Sequence, residues 1–499
     1  MNKKSIHRLL ISSCFFLSFF LISQCFAESS SATAKESSSG KSNKESVSYY
    51  SRILSSVLDF ANKYYVDEID PKTLYEGAMK GMMDALGDPH TMYMGEDTFK
   101  DLTYTTSGSF GGVGLTITKN PINTPEKPAY VEVISPMENM PGAVAGVQSG
   151  DFIVEIDGVS TPELTMNEAL NKLRGKVGTP VEVTFLRGKN IRFTRTLVRT
   201  LIELPTVKSA MIDSVGYIKI IEFTPDTAKR FQEALSDFKK NNFKGLVIDL
   251  RNNPGGLLTA AVDVADKFID SGVIVATKSR IDSQNSEHKA SWIKTTMPKN
   301  IPIVVIVNKG SASASEILSG ALKDYHLAYI IGQNTYGKGS VQQMIPLSDT
   351  DGFKLTIARY YSPTDSNIDK IGIPPDLEVS YPPFTEEEEK NFAKLMEDDA
   401  ITKYVDSHPG MGEKDIISAA EELYKTYPFD LRTMRRFIRV EVNHRNHDIS
   451  EVYDLDYDIQ LKKALEIIKT EDFSTLLKNT KTLKELELER QAKEAAEIK

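Results

Sequence analysis

The run Asn308-Lys309-Gly310-Ser311-Ala312-Ser313-Ala314-Ser315-Glu316 follows the apolar strand pattern Ile303 to Val307 and leads into a helical one. A strand-to-helix junction of small residues holds a hydroxyl in the open and leaves backbone N–H groups unclaimed at the helix start. Those are the two parts of an acyl-transfer site, a nucleophile and a donor for the oxyanion. The same residues also fit a plain helix cap, because Ser313 followed three positions later by Glu316 is a capping box. A second run, Gly337-Lys338-Gly339-Ser340-Val341-Gln342, places a lysine between glycines. Counted from Gly332 it begins like a phosphate-binding loop, Gly-X4-Gly-Lys. However, Gly339 stands where magnesium needs Ser or Thr, and a strand pattern follows instead of a helix. Nucleotide binding is thereby disfavoured. The lysine is either a solvated turn residue or, if burial among apolar groups keeps its amine neutral, a general base for a serine.

Other chemistries fall away by composition. None of the seven histidines sits in a metal-binding helix motif, and no Gly-X-Ser-X-Gly elbow occurs, so neither a metal site nor an α/β-hydrolase nucleophile is expected. No cofactor is called for. The two cysteines, Cys14 and Cys25, both lie in residues 1–27, where Lys3, Lys4 and Arg8 precede an apolar run ending at Cys25-Phe26-Ala27. This pattern reads as a secretory signal peptide and predicts an exported, periplasmic or otherwise extracytoplasmic protein. An uncleaved leader or a lipidated Cys25 is the one membrane route. Cleavage after Ala27 removes all thiol chemistry from the mature chain and takes the net charge from −9 to −12. An acidic surface of this kind argues against nucleic acid as a partner.

The elements that must position these residues follow from composition shifts along the 499 residues. Residues 28–46 are rich in Ser, Lys and Glu without an apolar period and read as a flexible tether. Residues 47–107 carry apolar residues at helical spacing and predict a helical module. Short strand patterns dominate residues 108–200, with one helix at Thr165 to Leu173. This segment resembles a PDZ domain, on its turn Gly111-Gly112-Val113-Gly114-Leu115, its Pro141-Gly142-Ala143-Val144 and its single late helix, in the circularly permuted order of bacterial members. Such a turn can hold a terminal carboxylate while the next strand edge accepts an extended peptide. Residues 201–383 alternate strands and helices, as an α/β layer does. Residues 384–499 are charged and helical, ending in an Ala/Glu/Lys/Leu-rich tail that reads as a solvated or partner-packed helix.

Taken together, Asn308 to Glu316, Gly332 to Gln342 and Asp249-Leu250-Arg251-Asn252-Asn253-Pro254-Gly255-Gly256 resemble the carboxyl-terminal processing, or tail-specific, serine proteases. Leu86-Gly87-Asp88-Pro89-His90-Thr91 and Ile371-Gly372-Ile373-Pro374-Pro375-Asp376 are similar to that family too. The resemblance implies a multidomain α/β protein. Its serine protease core would be ClpP/crotonase-like, with an inserted PDZ-like domain and helical N- and C-terminal regions. It implies Ser313 as nucleophile, Lys338 as general base, Gln342 as the residue orienting the lysine, and the N–H groups of Ala314 and Gly256 as oxyanion hole. Gly112, Val113, Gly114 and Leu115 would hold the substrate tail, with Arg174 aligned to a position tied to substrate activation. The implied partners are proteins or peptides with free C-termini, with homodimerisation or an adaptor through the helical ends. The alternative is a PDZ-containing binding scaffold on an inactive protease-like core.

Overall fold

The computed structural model describes residues 46–497, apart from 97, 101, 103–108, 120–123, 125–127, 138–139, 149, 189, 204–205 and 447–451. The expected leader, with Cys14 and Cys25, and all but the last residue of the tether lie outside the described residues. The chain divides into two units, Met1–Met79 and Lys80–Lys499. In the first, helix Val47–Tyr64 starts at Ser46, whose side chain accepts the Tyr49 N–H, and it buries none of its residues. Tyr50, Ile53, Leu54, Val57, Phe60 and Tyr64 recur at helical spacing on its exposed surface.

The second unit is built on a six-stranded sheet of Val207–Ile212, Val215–Ile220, Gly245–Asp249, Ile303–Val307, Tyr329–Gly332 and Leu377–Glu378, in that order. The first pair is antiparallel and the rest are parallel. Gly245–Asp249 and Ile303–Val307 are buried at every position, which is why they read as unbroken apolar runs: a central parallel strand is covered on both faces. Leu246, Ile248 and Val305 face helices Thr227–Lys240, Leu258–Ala265 and Ala314–Asp324. Val247, Val304 and Ile306 point the other way, as strand alternation requires, and meet helix Ile459–Thr470. A helix from the charged C-terminal region therefore completes the core, through Leu461, Ala464 and Leu465. The last helix, Leu483–Glu497, is anchored at its start, where Leu483 is buried and its N–H donates to Asp324 Oδ1 at 2.7 Å.

A second sheet stands beside the first. Gly352–Tyr361 pairs with Ser340–Pro346, with Val273–Ser279 and with Met92–Met94, and Ser286–Lys289 forms the far edge. The strand Met92–Met94 departs from the purely helical reading of residues 47–107. Three residues are too few to show a period, and only the waiting edge of Gly352–Lys354 makes them a strand.

Residues 115–198 form a separate five-stranded antiparallel path with Val159–Ser160 appended, around Val131, Val133, Ile153, Val183 and Phe185. Helix Met166–Leu173 is closed by a reciprocal cap: Glu168 N–H to Thr165 Oγ1 at 3.2 Å and Thr165 N–H to Glu168 Oε2 at 2.7 Å. Helices between Glu386 and Asn446 enclose a core of their own around Phe429, Met434 and Ile438.

Candidate active site

The strand Ile303–Val307 ends at a loop that enters helix Ala314–Asp324, every residue of which is buried. Ser313 stands at the junction with φ 55° and ψ −113°, outside the extended conformation usual for a cap, and its hydroxyl makes no cap hydrogen bond. A left-handed φ on a residue with a Cβ is strained, and strain of this kind collects where geometry serves function. Three serines compete in this loop, and the hydrogen bonds separate them. Ser311 Oγ donates to Leu250 O at 2.8 Å and Ser315 Oγ donates to Asn253 O at 3.0 Å, both fully buried. Ser313 alone of the three is partly exposed, with its hydroxyl uncommitted among the described residues.

The turn after strand Gly245–Asp249 is bolted to the same loop. Asn252 and Asn308 are joined by two hydrogen bonds of 2.9 Å, and the Ala312 N–H donates to Asn253 O at 3.0 Å. Gly255 and Gly256 have φ of 111° and 130°, and a Cβ on Gly255 would lie 2.8 Å from Ser313 Cβ and 3.0 Å from Ala314 N. Only glycine permits that approach. Phe223 brackets the turn by donating to Gly255 O and accepting from Leu257 N–H, which leaves the Gly256 N–H without a protein acceptor among the described residues. The N–H of Ala314, first in its helix, has none either. Upstream, the buried Asp249 takes Arg251 in a two-point pair and accepts from Tyr217 Oη at 2.7 Å. Arg251 continues to Asp458 at the start of the C-terminal core helix.

Lys338 and Ser313 meet through Glu316. This carboxylate, 1% exposed, accepts four hydrogen bonds: Ser313 N–H at 2.8 Å and Lys338 N–H at 2.9 Å on Oε2, Gly337 N–H and Thr335 Oγ1 at 2.6 Å on Oε1. Burial pushes its pKa up, and those four donors pull against that. One side chain thus holds both backbone segments. Lys338 is half-buried, and its pKa lies below the ordinary lysine value because of desolvation first and the neighbouring Lys354 charge second.

Gln342 lies in strand Ser340–Pro346, opposite Thr356. Its amide nitrogen donates to Ser340 Oγ at 2.8 Å and Thr356 Oγ1 at 3.2 Å, so Oε1 is the atom left for an ammonium. The Thr356 N–H donates in turn to Thr91 Oγ1 at 3.1 Å, and Thr91 donates to Asp88 at 2.7 Å. The segment Asp88-Pro89-His90-Thr91 is thereby placed beside the lysine: burial, then the charge of Lys338, lower the His90 pKa. Glu316 as a hub, Thr356 as a link and the buried Tyr360 had no signal in the sequence beyond a capping pattern and two strand residues.

The remaining expected site residues gather where residues 112–115 meet the end of helix Met166–Leu173. Gly112, Val113, Gly114, Leu115 and Arg174 line one cleft, floored by the apolar Leu170 and Ile202. Gly114 has φ 68°, and a Cβ there would lie 2.2 Å from Met140 Cβ. The Arg174 guanidinium lies 4.6 Å from the centre of the Phe110 ring. Among the described residues no helix is long and apolar enough to cross a membrane, and no group of three or more His, Cys, Asp or Glu could hold a metal.

Residues 214–379 match peptidase family S41, residues 132–187 match the PDZ domain, and residues 13–98 match the activating protease CtpB N-terminal domain. The carboxy-terminal-processing protease of Bartonella bacilliformis is 41% identical over 323 residues, which cover 64% of this chain and 72% of that protein. The carboxyl-terminal-processing protease of Synechocystis is 37% identical over 311 residues, covering 61% and 71%. The carboxy-terminal processing protease CtpA of Bacillus subtilis is 30% identical over 427 residues, covering 85% and 84%. With a serine at a strained strand-to-helix junction and this likeness over more than two thirds of each relative, the chain belongs to the carboxyl-terminal processing proteases, serine peptidases of family S41.

Proposed function

We propose that this protease cleaves by a Ser313–Lys338 dyad and selects substrates by their C-terminal tails. The observation that carries the dyad is the shared carboxylate: Glu316 Oε2 accepts from the N–H groups of both residues, so their spacing is set by one rigid buried atom. Lys338, held below the ordinary lysine pKa by desolvation, takes the Ser313 proton as Oγ attacks the scissile carbonyl. The N–H groups of Gly256 and Ala314 receive the oxyanion, and Gln342 Oε1 orients the lysine. The intermediate collapses as Lys338 returns its proton to the leaving amine. Water then attacks the acyl-enzyme with Lys338 again as base.

The cleft formed by Gly112 to Leu115 and Arg174 captures a free C-terminal carboxylate with an apolar side chain, which raises the local concentration of the tail at Ser313. Residues 1–27 direct export, and mass measurement of the mature N-terminus checks both that and lipidation of Cys25. The exposed apolar stripe of Val47–Tyr64 suits a second copy or an adaptor. Purified wild type, Ser313→Ala and Lys338→Ala are incubated with an unfolded protein that ends in an apolar tail. Wild type cleaves and both variants do not; cleavage by Ser313→Ala at the wild-type rate overturns the nucleophile, and full activity of Lys338→Ala near pH 7 overturns the base.

A further inference from the structure

Tyr360 lies in strand Gly352–Tyr361 and is 3% exposed. Its backbone N–H donates to Gly339 O at 2.9 Å, which ties it to the residue after Lys338. Its phenol lies beside the Ser313 side chain and near the Glu316 carboxylate. By distance and angle together, Tyr360 Oη has no hydrogen-bond partner among the described residues. Buried hydroxyls are nearly always paired, and an orphan of this size in a packed core calls for a reason. The neighbouring serines of the loop and helix offer none, since Ser311, Ser315 and Ser319 all spend their hydroxyls on backbone carbonyls.

We propose that Tyr360 is a further catalytic residue, whose phenol donates a hydrogen bond to Ser313 Oγ while that oxygen carries negative charge. The inference rests on Ser313 being the nucleophile. As Oγ attacks, its proton passes to Lys338 Nζ, the new C–O bond forms and the carbonyl π pair moves onto the oxyanion. Tyr360 keeps its proton throughout and steadies Oγ between loss of that proton and completion of the bond. In deacylation it does the same as Oγ departs, until Lys338 returns the proton it took from water. A donor that never ionises suits this task. Burial first, and then the charge of Glu316, push the phenol far above its ordinary pKa, so it stays a donor across the working range and cannot serve as base. Preorganisation is supplied by the backbone, because the strand that carries Tyr360 also pairs with the strand that carries Gln342.

The test is Tyr360→Phe in the full mature chain, assayed on a fluorogenic peptide with a free apolar C-terminus. The expected result is a fall in kcat of about 10- to 100-fold, on the scale of losing one preorganised donor, with KM within about twofold. The melting temperature stays level or rises, because Phe keeps the ring and removes an unpartnered buried hydroxyl. The acid limb of the pH profile stays in place, because Lys338 is untouched. Unchanged kcat overturns the proposal, as does a kcat loss that comes with a matching drop in melting temperature. A moved acid limb also overturns it, since Tyr360 would then act through the lysine. Ser313→Ala, run alongside, separates the two readings. If that variant is active, the nucleophile is wrong; if it is inactive while Tyr360→Phe is fully active, only the role of Tyr360 fails.

Discussion

The Ser313 site and the Gly112–Leu115 cleft lie in the same unit, yet they are held by different forces. Around Ser313 the fixing contacts are mostly charge-assisted and buried, four donors on Glu316 and the Asp249–Arg251 pair, with the neutral, exposed bonds of Asn252 to Asn308 beside them. Bonds of that kind are directional and set atoms to within tenths of an ångström. Around Gly114 the contacts are apolar side chains and an arginine over an aromatic ring. Those are tolerant of shape and suit variable tails. On the proposed mechanism the difference teaches that the chain spends buried polar groups where a proton would move, and apolar surface where a tail would be sampled.

The comparison predicts unequal sensitivity to small changes. Glu316→Gln keeps the shape of the hub but turns part of its acceptor edge into a donor facing N–H groups. Activity is expected to fall about 100-fold or more, and denaturant unfolding to show a loss of about 2–3 kcal/mol, the scale of hydrogen bonds to a buried charge. Near wild-type kcat in this variant would mean that Glu316 is only a helix cap. Gly114→Ala places a Cβ 2.2 Å from Met140 Cβ at φ 68°. In steady-state assays, KM for a peptide ending in an apolar carboxylate should rise about tenfold, as lost cleft shape would require, while kcat on a short amidated peptide stays unchanged. If both peptides lose kcat equally, the cleft is part of the catalytic core and the contrast between the regions collapses.

The smallest effect concerns charge alone. Lys354 is the first charged neighbour that lowers the Lys338 pKa, after desolvation. In Lys354→Gln the like charge is gone, the Lys338 ammonium becomes easier to keep, and its pKa rises. The lysine must lose its proton to act, so the acid limb of kcat/KM moves to higher pH, activity near neutrality falls, and the plateau at high pH is retained. A profile unchanged from wild type would remove Lys338 as the group that titrates.

Much of this is legible in the sequence. Gly245–Asp249 and Ile303–Val307 announced themselves as continuous apolar runs because both faces of a central parallel strand are covered. The Ser311–Ser315 loop stood out by its small residues between such a strand and a helix, and Gly339 excluded a phosphate loop by its position. The helical character of residues 384–499 is legible too, but the place of Ile459–Thr470 on the core sheet is not: a helical pattern does not say against what a face is buried.

The sequence by itself determined the family, the α/β class and the loops from which a nucleophile and a base could come, because these depend on local periodicity and on residue types at short spacing. The resemblance points to Ser313 among three serines, and the tertiary structure adds a physical difference, carbonyls more than sixty residues away that claim the other two hydroxyls. The tertiary structure alone joined the serine loop to the lysine loop on one carboxylate and left the Tyr360 phenol, without a hydrogen-bond partner among the described residues, near Ser313. Hydrogen bonds between segments distant in sequence leave no periodic trace in the chain, and they exist only once burial has made each donor find an acceptor.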